Sequence, residues 1–523
     1  MVKVRHAVIL AAGAATRFVP LSLEQPKGLF EVGGQRLIDR QIEQLLEAGV
    51  TDITVVLGYK KEMFAYLEGK YGVRLVDNPD YNTENNIRSL LCARDYLEDA
   101  YICSSDDYFT VNPFRSEEPH SFYAGQDVDY ASKEMFVSTD AQGRIVRMEK
   151  GRQRGKILLG HSFWTSEFAR KFVSIALADT EGKYRQSYWE WLVRDYLPVL
   201  PPFYFKAYPK GTVYEFDYFE ELREFDSEYL AHSRSRIIDN IKSVFGCTDA
   251  DITDFRKISE GLTNTSFIFR VGGKDYVYRH PGEGTEQIID RSHEKASLEK
   301  ALTLGIDPTF IHIDEREGWK ISRYVPTFRE PEYASEQDTR KVMGALRRLH
   351  SSGEKADWGL RPWEDSLKIE ELLEKKAPGC FAPYRELKER IGRMYAQTLG
   401  DGVEKCFCHG DTYRHNWMLL PDGGVILIDW EYAGYSDPGI DVGYYIVDAM
   451  YDKARAKAVI MEYLREDWTP ALEKHYLIYT ALIAWYWFVW ALYRESCSAS
   501  VGECLNNWLK MAEFYASSDF SLI

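Results

Sequence analysis

The chain contains eight cysteines (Cys92, Cys103, Cys247, Cys380, Cys406, Cys408, Cys497 and Cys504) but no Cys-x-x-Cys pair and no regular cysteine spacing. That absence excludes a zinc ribbon and a disulfide-stapled scaffold. Cys406-Phe407-Cys408 is the only close pair, and a single pair is half a zinc site at best. The thiols are expected to be reduced and mostly buried, as in a cytoplasmic protein. Positive charge is also short: 65 Lys and Arg face 81 Asp and Glu, a formal net charge of −16. This excludes a broad nucleic-acid-binding surface, because phosphate neutralisation needs clustered cations. Internal repeats and low-complexity tracts are missing. Met1 to Leu10 has no signal-peptide pattern, since its apolar stretch runs into a Gly-containing turn with no cleavage site.

What is present is an ordinary globular composition, 45% hydrophobic and 28% charged over 523 residues. At ~150 residues per domain that length suggests two or three domains. Tyr476 to Tyr493 is uncharged, about the length at which a membrane-spanning helix is considered. Its Trp485, Tyr486, Trp487 and Trp490 lie mid-segment, whereas spanning helices keep Trp and Tyr at their ends. The expectation is therefore a buried helix lining an aromatic pocket, with no stable membrane insertion.

The pattern along the chain changes once. Through about residue 230, strands and helices alternate, which predicts a mostly parallel sheet. Val4–Leu10, Asp52–Leu57 and Arg74–Val76 read as strands, and Leu37–Ala48 and Lys60–Lys70 as helices. Tyr218–Ser235 lacks Gly and Pro and reads as a helical connector. Three strands follow, at Asp254–Ser259, Ser266–Val271 and Lys274–Arg279, and from Ser335 onward the chain is mainly helical.

The first chemical signal is a strand entering a small-residue turn, Ala11-Ala12-Gly13-Ala14-Ala15-Thr16-Arg17, followed by Pro26-Lys27. Small residues let backbone N–H groups approach a triphosphate, and Arg and Lys meet its charge. Ser105-Asp106-Asp107 and Glu215-Phe216-Asp217 suit a divalent metal bound from two strand ends. Trp164, Tyr188, Trp189 and Glu190 are candidates for a cage around a quaternary ammonium. Lys150 and Lys156 are candidates for a second basic contact.

With its opening Leu10 to Arg17, then Pro20-Leu21 and Pro26-Lys27, this part resembles the sugar-phosphate and phosphocholine nucleotidyltransferases. Asn78-Pro79-x-Tyr81 with Asn85-Asn86-x-x-Ser89-Leu90 resembles the CTP:phosphocholine cytidylyltransferase branch. The resemblance implies an α/β nucleotidyltransferase domain with a Rossmann-like mixed sheet over residues 1–230. It implies that Arg17 and Lys27 hold the triphosphate and stabilise charge on the α-phosphate. Asp106 would hold Mg²⁺ with Asp217, helped by Asp107, and Asn85, Asn86 and Ser89 would meet the pyrimidine. The family usually has Gly where this chain has Ala15, and a methyl there crowds the phosphates and restricts positive φ.

The second signal is His409-Gly410-Asp411-Thr-Tyr-Arg-His-Asn416 followed by Ile428-Asp429-Trp430-Glu431. An Asp five residues before an Asn, then an Asp closing an apolar strand, matches kinase phosphotransfer: the first Asp accepts the hydroxyl proton while Asn and the later Asp hold Mg²⁺. His409 reads as structural support for the loop. Thr263 and Asn264 lie in a candidate phosphate-covering loop between two strands, and Arg279 with Glu294 replaces the usual Lys–Glu pair that orients ATP.

This half, from roughly Asp254 to Glu495, resembles the choline/ethanolamine kinases, with aminoglycoside phosphotransferases as more distant relatives. The resemblance implies an α+β protein-kinase-like domain over 231–523, with Asp411 as base, Asn416 and Asp429 on Mg²⁺ and Arg279 on ATP. Trp487-x-x-Trp490 matches the family's choline-binding aromatics, with Glu431, Tyr432, Tyr444 and Tyr445 as additions. The combined expectation is a bifunctional enzyme: ATP-dependent phosphorylation of choline, then CTP-dependent conversion of phosphocholine to CDP-choline and pyrophosphate. The alternatives are ethanolamine or an aminophosphonate as substrate, or a degenerate first domain regulating an active kinase.

Overall fold

The computed structural model describes residues 1–152, 154–258, 264–282, 289–497 and 501–517. Met1–Lys257 with Phe269–Gly273 form one compact unit; Ile258–Ile268 and the chain from Lys274 onward form a second.

In the first unit, the strand His6–Ala11 has Ala7, Val8 and Ile9 wholly buried. Successive strand side chains point to opposite faces. Ile9 therefore joins one core with Ile38, Ile42 and Leu45 of helix Leu37–Glu47. Val8 joins another, with Leu90 of helix Asn86–Cys92 and Phe168 and Phe172 of helix Ser166–Leu177. Burial on both faces is why this strand reads as a continuous apolar run. It lies parallel between Ile53–Leu57 and Ala100–Ser104, with Arg74–Asp77 parallel beyond. The mostly parallel expectation holds for this part of the sheet only. Gly155–Trp164 runs antiparallel to Ala100–Ser104, Ser132–Thr139 and Phe122–Val128, so the sheet is mixed.

Two helical expectations are shortened. Lys60–Lys70 is a 3-10 turn, Lys61–Phe64, followed by helix Tyr66–Tyr71. The connector breaks into Phe219–Phe225 and Glu228–Ala231 because Asp226 takes up an extended backbone.

The strand restart appears as Thr253–Lys257, Thr265–Val271 and Lys274–His280. In the sheet, Lys274–His280 is followed by Lys320–Arg323 and then Phe310–Ile313. The rest of the second unit is helical around Pro470–Ser496, which packs against helices Pro362–Lys376, Gly439–Asp448 and Cys504–Ala516. Among the described residues this is the one helix long and apolar enough to cross a membrane, and 94% of its apolar window is buried inside the protein. An apolar helix surrounded by other helices is a core element.

Trp485 is fully buried against Phe381 and Phe488. Trp485→Ala is expected to lower the stability of the second unit by about 3–5 kcal/mol, read from urea unfolding.

Candidate active sites

The first site is assembled at strand ends. His6–Ala11 delivers the Ala12–Arg17 turn, and Ala100–Ser104 delivers Asp106 and Asp107. The short ladder Val213↔Phe109 and Tyr214↔Tyr108 brings Glu215 and Asp217 to the same end. The resulting cavity of about 460 Å³ is lined by the whole Ala11–Arg17 turn, Lys27, Asn85, Asn86, Ser89, Asp106, Tyr188 and Asp217. Glu215 of the acidic cluster and Asn78 and Tyr81 of the Asn78-Pro79-x-Tyr81 motif also line it, as does Gln186, which the sequence reading did not single out. Asn85 caps helix Asn86–Cys92, Asn86 accepts the Trp189 amide at 2.8 Å, and Ser89 accepts from the buried Asn78 amide at 3.0 Å.

Several predicted residues lie elsewhere. Asp107 is buried away from the cavity, its Oδ2 without a partner. Trp164 packs on Phe172 and Trp189, and Trp189 stacks on Tyr123, so neither ring reaches the cavity. Glu190 accepts the Tyr123 hydroxyl at 2.8 Å, and burial pushes its carboxyl up to about 7. Of the expected cage, Tyr188 alone lines the cavity; ring packing holds the two tryptophans and the Tyr123 hydroxyl holds Glu190. Lys156 donates to Thr139 and Lys150 lies over Trp191, both outside the cavity.

Charge is crowded here. Lys27 Nζ sits 2.5 Å from Asp106 Oδ2, and Arg17 pairs with Asp217 at 2.8 Å. Burial opposes the Lys27 charge, yet Asp106, Glu215 and Asp217 hold its ammonium above the ordinary value. Burial likewise opposes ionisation of Asp106, but Lys27 keeps it below the usual carboxylate range. Glu215, desolvated at the cavity lining and beside Asp106, is pushed up to about 8. A donor set made only of carboxylate oxygens, with more acid than base, fits a hard divalent cation. Ala15 holds the left-handed region at φ 46°.

The second site is built by a hairpin. Trp417 pairs with Leu427, which places Asn416 and Asp429 at one end, and Cys406–Cys408 leads into Asp411. A cavity of about 950 Å³ is lined by Asn264, Arg279, Asp411, Asn416, Asp429, Glu431, Tyr432, Tyr444, Trp487 and Trp490. Asn416 Nδ2 donates to Asp411 Oδ2 at 3.0 Å. Burial, with Asp429 and Glu431 nearby, pushes the Asp411 carboxyl well above its ordinary value. Asp429 is the reverse: burial opposes its charge, but Lys320 and Arg279 hold it below the carboxylate range. The oxygen donors of Asn416 and Asp429, beside Asp411, again suit a hard cation.

Arg279 meets Glu294 at 2.7 Å and Asp429 at 3.0 Å, forming the expected Arg–Glu pair. The sequence reading missed Lys320, 3.3 Å from Asp429 and 3.6 Å from Glu294. Its sole signal is a lysine beside Trp319 and Ile321; strand pairing puts it opposite Arg279. His409 is structural: its amide donates to Asp441 at 2.8 Å and its Nε2 meets the Ile428 carbonyl at 3.0 Å. Gly410 has φ 84°, and a Cβ there would lie 2.5 Å from the Tyr432 carbonyl oxygen. Thr263 lies outside the described residues.

Trp487 stands at the centre of an aromatic wall. Tyr444 stacks on it at 5.0 Å, and Tyr432 and Trp490 meet it edge-on at 5.0 and 5.3 Å. Trp508, from helix Cys504–Ala516, packs 5.8 Å from Trp487 and also lines the cavity. Its sequence offered no signal beyond a tryptophan on an apolar helix face. Tyr445 turns instead to Tyr333 and Tyr451.

These two constellations define a transferase with a nucleotidyltransferase unit and a kinase-like phosphotransferase unit. Residues 7–113 match the MobA-like NTP transferase domain and residues 254–476 the phosphotransferase enzyme family. The chain belongs to the nucleotidyltransferase family through its first unit and carries a phosphotransferase-family domain after it. It is 35% identical over 221 residues to choline-phosphate cytidylyltransferase of Streptococcus pneumoniae, covering 42% of this chain and 96% of that protein. It is 33% identical over 237 residues to 2-aminoethylphosphonate cytidylyltransferase of Lancefieldella rimae, covering 44% and 95%. Among solved structures, choline kinase LicA from Streptococcus pneumoniae is 24% identical with a TM-score of 0.49, covering 55% of this chain and 100% of that one.

A left-handed non-glycine residue costs about 1–2 kcal/mol. Ala15→Gly is therefore expected to stabilise the first unit by about 1 kcal/mol, the extra freedom of unfolded glycine offsetting part of the relief. Urea unfolding of the full chain measures it.

Proposed function

We propose that residues 231–523 phosphorylate choline with ATP and that residues 1–230 convert the resulting phosphocholine and CTP to CDP-choline and pyrophosphate. The observation that carries this reading is a single cavity in which Asp411, Asn416 and Asp429 stand with an aromatic wall of Trp487, Trp490, Trp508, Tyr432 and Tyr444. Aromatic faces attract a trimethylammonium, whereas a primary ammonium loses hydration there that it cannot regain. Asp411 would accept the proton of the substrate hydroxyl. Arg279 and Lys320 would meet the ATP phosphates, oriented by Glu294.

In the first unit, a phosphate oxygen of phosphocholine would attack the α-phosphorus of CTP in line, and pyrophosphate would leave. No protein nucleophile is required, because positioning and fixed charge supply the catalysis. Lys27 and Arg17, now on Asp106 and Asp217, would turn to the triphosphate. Mg²⁺ held by Asp106 and Asp217, and by Asn416 and Asp429, would neutralise phosphate charge in each site. The eight free cysteines support a cytoplasmic location.

An aminophosphonate remains a second reading for the first unit. Its cavity is rich in carboxylates and the Trp164 and Trp189 rings do not line it, and the Lancefieldella rimae relative carries that substrate in its name. Comparing kcat/KM for phosphocholine and 2-aminoethylphosphonate decides between them.

Incubation with choline, ATP, CTP and Mg²⁺ is expected to release CDP-choline. Asp411→Asn should abolish ATP consumption and Lys27→Ala should abolish pyrophosphate release; survival of either activity sinks the corresponding assignment. Trp487→Ala should lower kcat/KM for choline more than for ethanolamine.

The protonated form of Asp411 cannot act as a base, so kcat/KM for phosphotransfer is expected to fall as pH drops through its raised pKa. The acid limb should lie above ~4, the ordinary aspartate value, since kcat/KM reports the free enzyme. A limb at or below that value counts against Asp411 as the base.

A further inference from the structure

Outside the two cavities, one more cluster of ligating side chains stands among the described residues. His350, Cys406 and Cys408 each place a donor atom within 4.8 Å of the others, and none lines the 950 Å³ cavity. The two cysteines are two apart on the strand Cys406–Cys408, so their side chains share a face, with the sulfurs 3.5 Å apart. Two thiolates at ~2.3 Å from a tetrahedral zinc-class ion stand about 3.8 Å apart, so the pair needs to open by only a few tenths of an ångström. His350 ends helix Glu336–His350, which packs on this strand, and its ring is almost fully enclosed. Cys406 is only partly buried, which leaves a route in, while Cys408 is fully buried. Two sulfurs and an imidazole nitrogen select a soft cation over Mg²⁺.

The cluster touches the catalytic loop through one carboxylate. His350 Nε2 lies 2.9 Å from Asp441 Oδ2, and its Nδ1 2.7 Å from the Tyr463 hydroxyl. Asp441 accepts the amides of His409 at 2.8 Å and Gly410 at 2.7 Å, the two residues before Asp411. An ion that takes His350 Nε2 must displace Asp441 and so withdraw the imidazole from it, whereas one that takes Nδ1 displaces the Tyr463 hydroxyl.

We propose that Cys406, Cys408 and His350, through its Nε2, form a binding site for one zinc-class divalent cation, distinct from the magnesium sites, and that its occupation slows phosphotransfer by taking the nitrogen that now meets Asp441. Binding replaces the two thiol protons with metal–sulfur bonds and releases both protons to solvent. The inhibitory half rests on the phosphotransfer reading, whereas binding does not, so the two fail separately.

The test uses the full chain, reduced and metal-stripped, in excess Mg²⁺. Co²⁺ is expected to give a thiolate-to-cobalt charge-transfer band at one ion per chain, displaced by Zn²⁺ and lost in Cys406→Ser and Cys408→Ser. Zn²⁺ should slow ATP consumption by at least about fivefold, reversed by a chelator, the size of an ordinary coupling between sites. Cys406→Ser should keep the basal rate and lose the response. Absence of the band in the parent, or a band unchanged in both serine variants, overturns the site. Equal Zn²⁺ inhibition of parent and Cys406→Ser places the ion in the magnesium site and overturns the regulatory coupling.

Discussion

Desolvated carboxylates in excess of their counter-charges are the constraint on which both sites depend. Asp106, Asp107, Glu215 and Asp217 converge on Lys27 and Arg17, and Asp411, Asp429, Glu431 and Glu294 converge on Arg279, Lys320 and Arg291. Desolvated charges of like sign cannot all ionise, so some carboxyls stay below the usual range and others rise above it. Asp106 and Asp429 are of the first kind, because a cation touches each. Glu215 and Glu431, raised to about 8 and about 7, are of the second. Under the proposed function, the cations that now balance carboxylates would be the ones that meet the polyphosphate.

The scaffold fixes these groups by simple rules of chain direction. In the first unit, parallel strands end on one edge of the sheet, so the small-residue turn and the acidic pair arrive side by side. In the second, a hairpin pairs Trp417 with Leu427 and sets Asn416 beside Asp429. Asp441 then ties the residues before Asp411 to helix Gly439–Asp448, through backbone amides rather than side chains. Helix Pro470–Ser496 belongs to the same logic: a segment of membrane-spanning composition is buried by its neighbours, and Trp487 and Trp490 face the cavity.

Much of the chemistry was legible in the chain because it is local. The Ala11–Arg17 turn, the Asp411-to-Asn416 spacing and Asp429 each lie in one short segment whose geometry the backbone sets. The tryptophan pair on one helix was legible for the same reason, as a spacing of three keeps both rings on one face. The cage expected from Trp164 and Trp189 was not realised at the first cavity. Large aromatics on a strand and a helix facing the sheet gain more from mutual packing with Tyr123 and Phe172 than from a polar opening.

The linear chain by itself determined two phosphate-handling signatures, their order, and the apolar helix, since each needs only neighbouring residues and the periodicity of strand or helix. Tertiary structure alone decided that Lys320 stands opposite Arg279, that Trp508 completes the aromatic wall, that Asp107 is buried away from the cavity, and that His350 meets Cys406 and Cys408. Each is a contact between segments distant in sequence or a choice between two faces of one strand end. Strand register and helix packing settle such contacts, and no local pattern encodes them.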